Sequence, residues 1–246
     1  MAIGFLKTVN KGIATQTSQT YSLAAGVEVP AGSLLIVVAH RTNAADTVAS
    51  VTDNSANAGD ANVYTVDEET ADGSDIISVC SAYITRTIDA DDIITVTWTN
   101  ASAFNYFSML MVAYTGSVTT SWADKSAEHS HYHTQAEGMA SGFTAALSQA
   151  AELVFGVIHV ADVALTLSAG AGFTLRDSHT SAGPVINLGV EDKVVASTDA
   201  VEATGSWSGT GNKNCSAICV TYKEVAAGGL SILPALWRHY QKARSN

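Results

Sequence analysis

Leu34-Leu-Ile-Val-Val-Ala-His40 and Leu153-Val-Phe-Gly-Val-Ile-His159 are one motif written twice, 119 positions apart. Each is a short apolar run closed by histidine. A run of this length, rich in Val and Ile and lacking helical periodicity, predicts a strand buried on both faces. Other landmarks keep the same order. Tyr64-Thr-Val answers Phe173-Thr-Leu, Ile77 answers Ile186 and Trp98 answers Trp207. Met109-Leu-Met-Val-Ala-Tyr114 answers Ala217-Ile-Cys-Val-Thr-Tyr222. The chain is an internal duplication, and the halves fall at about 15–116 and 138–223.

Within each half the pattern is strand, turn, strand. Ile93-Ile-Thr-Val-Thr-Trp98 alternates cleanly, which suits a strand with one buried face. Pro30-Ala-Gly, Asp53-Asn-Ser-Ala-Asn and Asp89-Ala-Asp-Asp are turn chemistry. The spacing predicts ten to twelve strands and no internal helix. Residues 41–62 read as a long loop, Asp67–Asp75 as an acidic loop, and 117–137 as a polar connector. Duplicated apolar strands need a facing sheet. The expected fold class is therefore all-β: a two-sheet, jelly-roll-like sandwich forming one body over residues 1–225.

Composition narrows the function classes. Apolar residues make up 47% of the 246-residue chain, enough for a sizeable core, and charged residues only 14%. The net charge of −11 disfavours nucleic acid, whose phosphates demand a basic face. No apolar run approaches the roughly 20 residues of a membrane span. Met1–Lys7 has no long apolar run of the secretory kind, so assembly in a cytoplasm is the expectation. Cys80, Cys215 and Cys219 form no C-x-x-C pair and read as small buried hydrophobes.

Residues 226–246 differ from the rest. Gly228-Gly229 forms a hinge, and Pro234 suits the first turn of a short helix from about Ala235 to Ala243. This C-terminal arm carries Arg238, Lys242 and Arg244 and no acid, +3 against −14 on the remainder. Leu236, Trp237 and Tyr240 supply apolar anchors beside those three cations, the composition of a partner-binding segment.

His129, His131 and His133 alternate behind Glu128. On a strand the imidazoles share a face roughly 6.5–7 Å apart, too far for one strand to wrap a metal. They would suit a threefold axis, with one histidine from each chain of a trimer meeting a structural metal. His40 and His159 read as paired sheet-end histidines, each with a hydrogen-bond partner. Trp122 and Tyr132 are candidate exposed contacts for a partner or glycan. Gly205-Ser-Trp-Ser-Gly places tryptophan where a nucleophile elbow needs serine. No P-loop or H-E-x-x-H is present, so no catalytic residues and no cofactor are assigned.

Five segments together resemble a known module: Ser50-Val-Thr-Asp-Asn-Ser, Asn62-Val-Tyr-Thr, Ala150-Ala-Glu-Leu-Val-Phe-Gly, Gly170-Ala-Gly-Phe-Thr-Leu-Arg and Val190-Glu-Asp-Lys-Val. It is the β-sandwich module that recurs in tailed-bacteriophage virion proteins and in some bacterial surface proteins. The resemblance covers about residues 20–223. It implies a non-enzymatic structural or binding role in a virion, foremost head decoration (cement) on the major capsid protein. The alternative it implies is a tail- or fibre-associated receptor- or carbohydrate-binding module.

Overall fold

The alternating run Ile93–Trp98 and the continuous run Leu34–His40 demand different surroundings, and the fold supplies both. A computed structural model describes residues 2–16, 19–42, 46–54, 61–71, 75–100, 105–134, 138–161, 165–180, 186–209 and 211–225. Its first repeat holds β1 (Gly4–Gln16), β2 (Thr20–Ala24), β3 (Leu34–Thr42), β4 (Val48–Asp53), β5 (Thr65–Ala71), β6 (Asp75–Tyr83), β7 (Ile93–Trp98) and β8 (Asn105–Thr115). The second holds β9 (Ala123–Thr134), β10 (Met139–Ala140), β11 (Glu152–Ala161), β12 (Leu167–Ala169), β13 (Thr174–Thr180), β14 (Asn187–Val195), β15 (Thr204–Trp207) and β16 (Asn212–Lys223). Among the described residues there is no helix.

The repeats match strand for strand. Repeat one makes a five-stranded sheet, β1-β8-β3-β6-β5, and a three-stranded sheet, β2-β7-β4. Repeat two makes β9-β16-β11-β14-β13 and β10-β15-β12. In repeat one, strands 1 and 8, 2 and 7, and 3 and 6 pair antiparallel in nested order, the winding of a jelly roll. Even the irregularities repeat: a register shift between Val66 and Glu68 recurs between Leu175 and Asp177.

The all-β sandwich read from the sequence is what the chain forms, and the duplication builds it twice. Each repeat is its own two-sheet sandwich. The two five-stranded sheets then pack face to face, giving four layers. β3 places Leu35, Val37 and Ala39 against its own small sheet, in a core shared with Val96 and Trp98. Its other face, with Leu34, Ile36 and Val38, meets Leu153, Phe155 and Val157 of β11 in a central core. That is why the apolar runs are continuous in an antiparallel sheet, where one solvated face is usual. Each Leu, Ile, Val or Phe so buried contributes roughly 1.5–3 kcal/mol.

Several sequence expectations need correction. The repeat begins earlier than residues 15 and 138, because β1 and β9 are equivalent edge strands. Residues 117–137 are therefore no connector: Ala123–Thr134 pairs along β16. Both are edge strands, hydrogen-bonded to a neighbour along one side only, and both lack a continuous apolar run. The stretch 41–62 contains the end of β3 and all of β4, and Asp67 lies in β5 rather than in a loop. Ile77 corresponds to Leu188, not Ile186. Ile77 faces His40 as Leu188 faces His159, so Ile186 answers Asp75. The three cysteines are buried and free, as their sequence context suggested.

Gly116 closes the first repeat at φ +85, with the backbone of Ala2 and Ile3 packed against it. A Cβ there would stand 2.5 Å from the Ala2 carbonyl oxygen and 2.9 Å from Ile3 Cα. Backbone cannot step aside as a side-chain tip can. Gly116→Ala is expected to cost on the order of 2–3 kcal/mol. Gly4→Ala, with nothing within 4 Å of its Cβ, should change stability by less than about 0.5 kcal/mol. Urea midpoints for the two variants check the contrast; equal midpoints would refute it.

Candidate functional site

The central layer is largely apolar, and the two duplicated histidines meet inside it. Alternation along β3 puts His40 on the face of Leu34, Ile36 and Val38. β11 does the same for His159 with Leu153, Phe155 and Val157. Both histidines are fully buried, with ring centroids 4.9 Å apart and planes inclined by 31°. A local twofold relation between the repeats brings them together. The equivalent Tyr114 and Tyr222 hydroxyls likewise donate across to the other repeat, to Asp192 and Asp67, each at 2.7 Å, although these two acids stand at non-equivalent positions.

Asp75 completes the group. It starts β6 two residues before Ile77, on the same face. Its Oδ1 lies 3.1 Å from His40 Nε2, and it is 6% exposed. One ligating atom from each of His40, Asp75 and His159 can be chosen so that all lie within 4.8 Å of one another. Directly across the strands stand Ser108, opposite His40, and Ser216, opposite His159. Both serines are buried, and neither hydroxyl has a hydrogen-bond partner among the described residues. Burial drives the His159 pKa down to about 3, His40 adds to the push and Asp75 opposes it. The imidazole is thus neutral at ordinary pH, the form that accepts a hydrogen bond or binds a metal.

Sequence reasoning placed His40 and His159 at equivalent strand ends but did not bring them into contact. It missed Asp75, Ser108 and Ser216. The signal for Asp75 was present as an acid in a position where the second repeat carries Ile186. Reading it requires the correct β6 register.

The other sequence candidates lie elsewhere. His129 is exposed on β9, an edge strand. Register places positions 129, 131 and 133 on one face, opposite Ala217, Cys215 and Lys213. The side chains of His131, His133 and Tyr132 lie outside the described residues. Glu128 and Ser130 take the other face: the Thr70 hydroxyl donates to Glu128, and the Ser130 hydroxyl donates to the Ala71 carbonyl at 2.6 Å. Trp122 is half-buried, and its indole N–H donates to Ser81 Oγ at 2.7 Å. With Thr65, Val66, Asp67, Ser121 and Ala123 it lines an open depression of about 500 Å³. The arm residues Leu236, Trp237, Arg238, Tyr240, Lys242 and Arg244 lie outside the described residues.

Comparison with known proteins finds no matching family model, no matching curated protein and no matching solved structure.

Proposed function

We propose that the chain is a non-enzymatic structural protein of a bacteriophage virion, foremost a capsid decoration protein that adheres to the major capsid protein. The observation that carries this reading is where the chemistry-bearing side chains go. His40, His159, Asp75, Glu152 and Glu191 are all buried, away from the surface where a substrate would be met. A duplicated jelly roll closed around them is a rigid block with two similar outer faces, and such a block suits attachment. The segment 226–246, +3 beside a body of −14, supplies the part of opposite character. The resemblance of Ser50–Ser55, Gly170–Arg176 and the other quoted segments to virion sandwich modules points the same way.

The experiment is a binding assay with particles of the encoding virus assembled without this protein. The full chain is expected to co-sediment with them. A chain ending at residue 225, which retains every described strand, is expected to melt like the full chain and remain in the supernatant. Equal binding by the truncated chain would refute the arm's role. Failure of the full chain to bind any particle would refute the decoration reading.

One observation favours the alternative, a tail- or fibre-associated carbohydrate-binding module. The Trp122 depression combines an aromatic wall with Thr65, Asp67 and Ser121, the pairing of ring face and polar groups that sugars use. Binding on a glycan array that is lost in Trp122→Ala would support it; absence of binding would remove it.

A further inference from the structure

We propose that His40, Asp75 and His159 form a site for one zinc-class divalent metal ion, bound on the local twofold between the repeats. Five polar side chains converge there beside the Leu, Ile, Val, Phe and Tyr side chains of the central core. Polar groups in such surroundings cost stability unless something satisfies them. The Ser108 and Ser216 hydroxyls and His40 Nδ1 lack hydrogen-bond partners among the described residues. A hydrogen bond between His40 and Asp75 does not account for that concentration of donors and acceptors.

The donor chemistry selects the metal. Two imidazole nitrogens and one carboxylate oxygen suit zinc and its first-row neighbours, whereas calcium and magnesium require shells of oxygen. Zinc bonds of about 2.0–2.1 Å set neighbouring tetrahedral ligands roughly 3.3 Å apart. His40 Nε2 and Asp75 Oδ1 already stand 3.1 Å apart. The chosen set lies within 4.8 Å, a gap that rotation of the imidazoles can close. A serine hydroxyl or a water completes four-coordination. The metal takes the place of the proton between His40 and Asp75.

The duplication explains why there is one ion and not two. Each repeat contributes a histidine and a serine at equivalent positions, but only the first has an acid. Ile186 stands where the second repeat would place it, inside the apolar core. The ion therefore links β3 and β6 of one repeat to β11 of the other, a cross-link between two sandwiches that otherwise adhere by apolar contact. This places the metal within a single chain, unlike a threefold-axis site built from His129, His131 and His133.

The test uses the full chain, stripped with chelator and titrated with zinc or cobalt. One ion per chain is expected, with a raised melting temperature and X-ray absorption showing two imidazole ligands. Asp75→Asn and His159→Gln are each expected to weaken zinc binding at least about 100-fold. The triple variant His129→Asn, His131→Asn, His133→Asn is expected to keep its zinc. Loss of zinc in that triple variant, with retention in Asp75→Asn, would assign the metal to the edge strand and overturn the proposal. So would a wild-type chain that binds no zinc and melts unchanged. Should both site variants fail to fold, the cobalt-loaded wild type decides: bound cobalt without two imidazoles overturns the proposal.

Discussion

Asp46→Leu is expected to destabilise the protein by about 3–5 kcal/mol, and adding Arg41→Val is expected to recover most of that loss. Arg41 and Asp46 form an ion pair with both side chains fully buried in the first sandwich. The guanidinium lies over Trp98 at 5.7 Å and over Phe107 at 5.4 Å, and Nη1 donates to the Asn100 carbonyl at 2.8 Å. Asp46 in turn accepts from the Thr47 and Asn100 amides, each at 3.0 Å. Removing the acid leaves a guanidinium buried without its counter-charge, which is the costly way to break such a pair. Removing both partners is another matter, and the molecule itself supplies the comparison. Register equates Val48, opposite Trp98, with Leu167, opposite Trp207. On that register Arg41 answers Val160 and Asp46 answers Leu165. Both pack in the apolar cluster around Trp207. The double variant therefore installs in repeat one the solution that repeat two already uses. Urea unfolding of the wild type, both single variants and the double variant gives the coupling directly. A double variant no more stable than Asp46→Leu alone would refute the argument, as would a single-variant cost below about 1 kcal/mol.

The same comparison of repeats shows what the sequence could and could not reveal. β3, β8, β11 and β16 were legible because burial on both faces writes itself as an unbroken apolar run. β7 was legible because burial on one face writes itself as alternation. β1 and β9 were not. Lys7, Asn10 and Lys11 interrupt any apolar pattern near the start of the chain, and Asp124, Lys125 and Glu128 fall in the stretch read as a polar connector, because an edge strand needs polar groups. Their pairing to β8 and β16 is backbone chemistry with little side-chain signature. The axial cluster was half legible. Matched positions of His40 and His159 follow from the duplication, but their contact follows only if the two large sheets face each other. A sequence carrying two copies of a sandwich is equally compatible with small sheets innermost. Ser108 and Ser216 gave no signal, since a serine inside an apolar strand is unremarkable until the layer around it is known.

Two further departures from the repeat set the pH dependence, and the stability of the metal-free protein is expected to rise as pH falls from 8 to 5. Glu152 and Glu191 are fully buried. Burial raises the Glu152 pKa from 4.5 to about 7; the Asp124 charge adds to the push, and Thr221 resists it. Burial likewise raises Glu191 to about 7, although its carboxylate accepts the Gly170 amide at 2.9 Å. The folded state therefore holds protons that the unfolded chain releases between pH 7 and 4.5. The stability from these groups is fully present below 4.5 and is lost as pH rises through 7. Each group contributes up to about 3 kcal/mol. His159, held near 3, opposes them below its ordinary value of 6.5 because its folded form resists the proton that the unfolded chain takes up. Glu152, Glu191 and His159 together leave a net gain of about 3 kcal/mol at pH 5; Asp67, raised by burial, adds to it, and His179, lowered by burial, subtracts from it. In Glu152→Gln/Glu191→Gln the rise is expected to vanish, and the variant should be more stable than the wild type at pH 8. Denaturant unfolding in the presence of chelator at pH 8, 6.5 and 5 measures it. A wild-type stability that stays flat or falls over that range would refute the assignment of these two carboxyls as buried acids, as would an unchanged slope in the double variant.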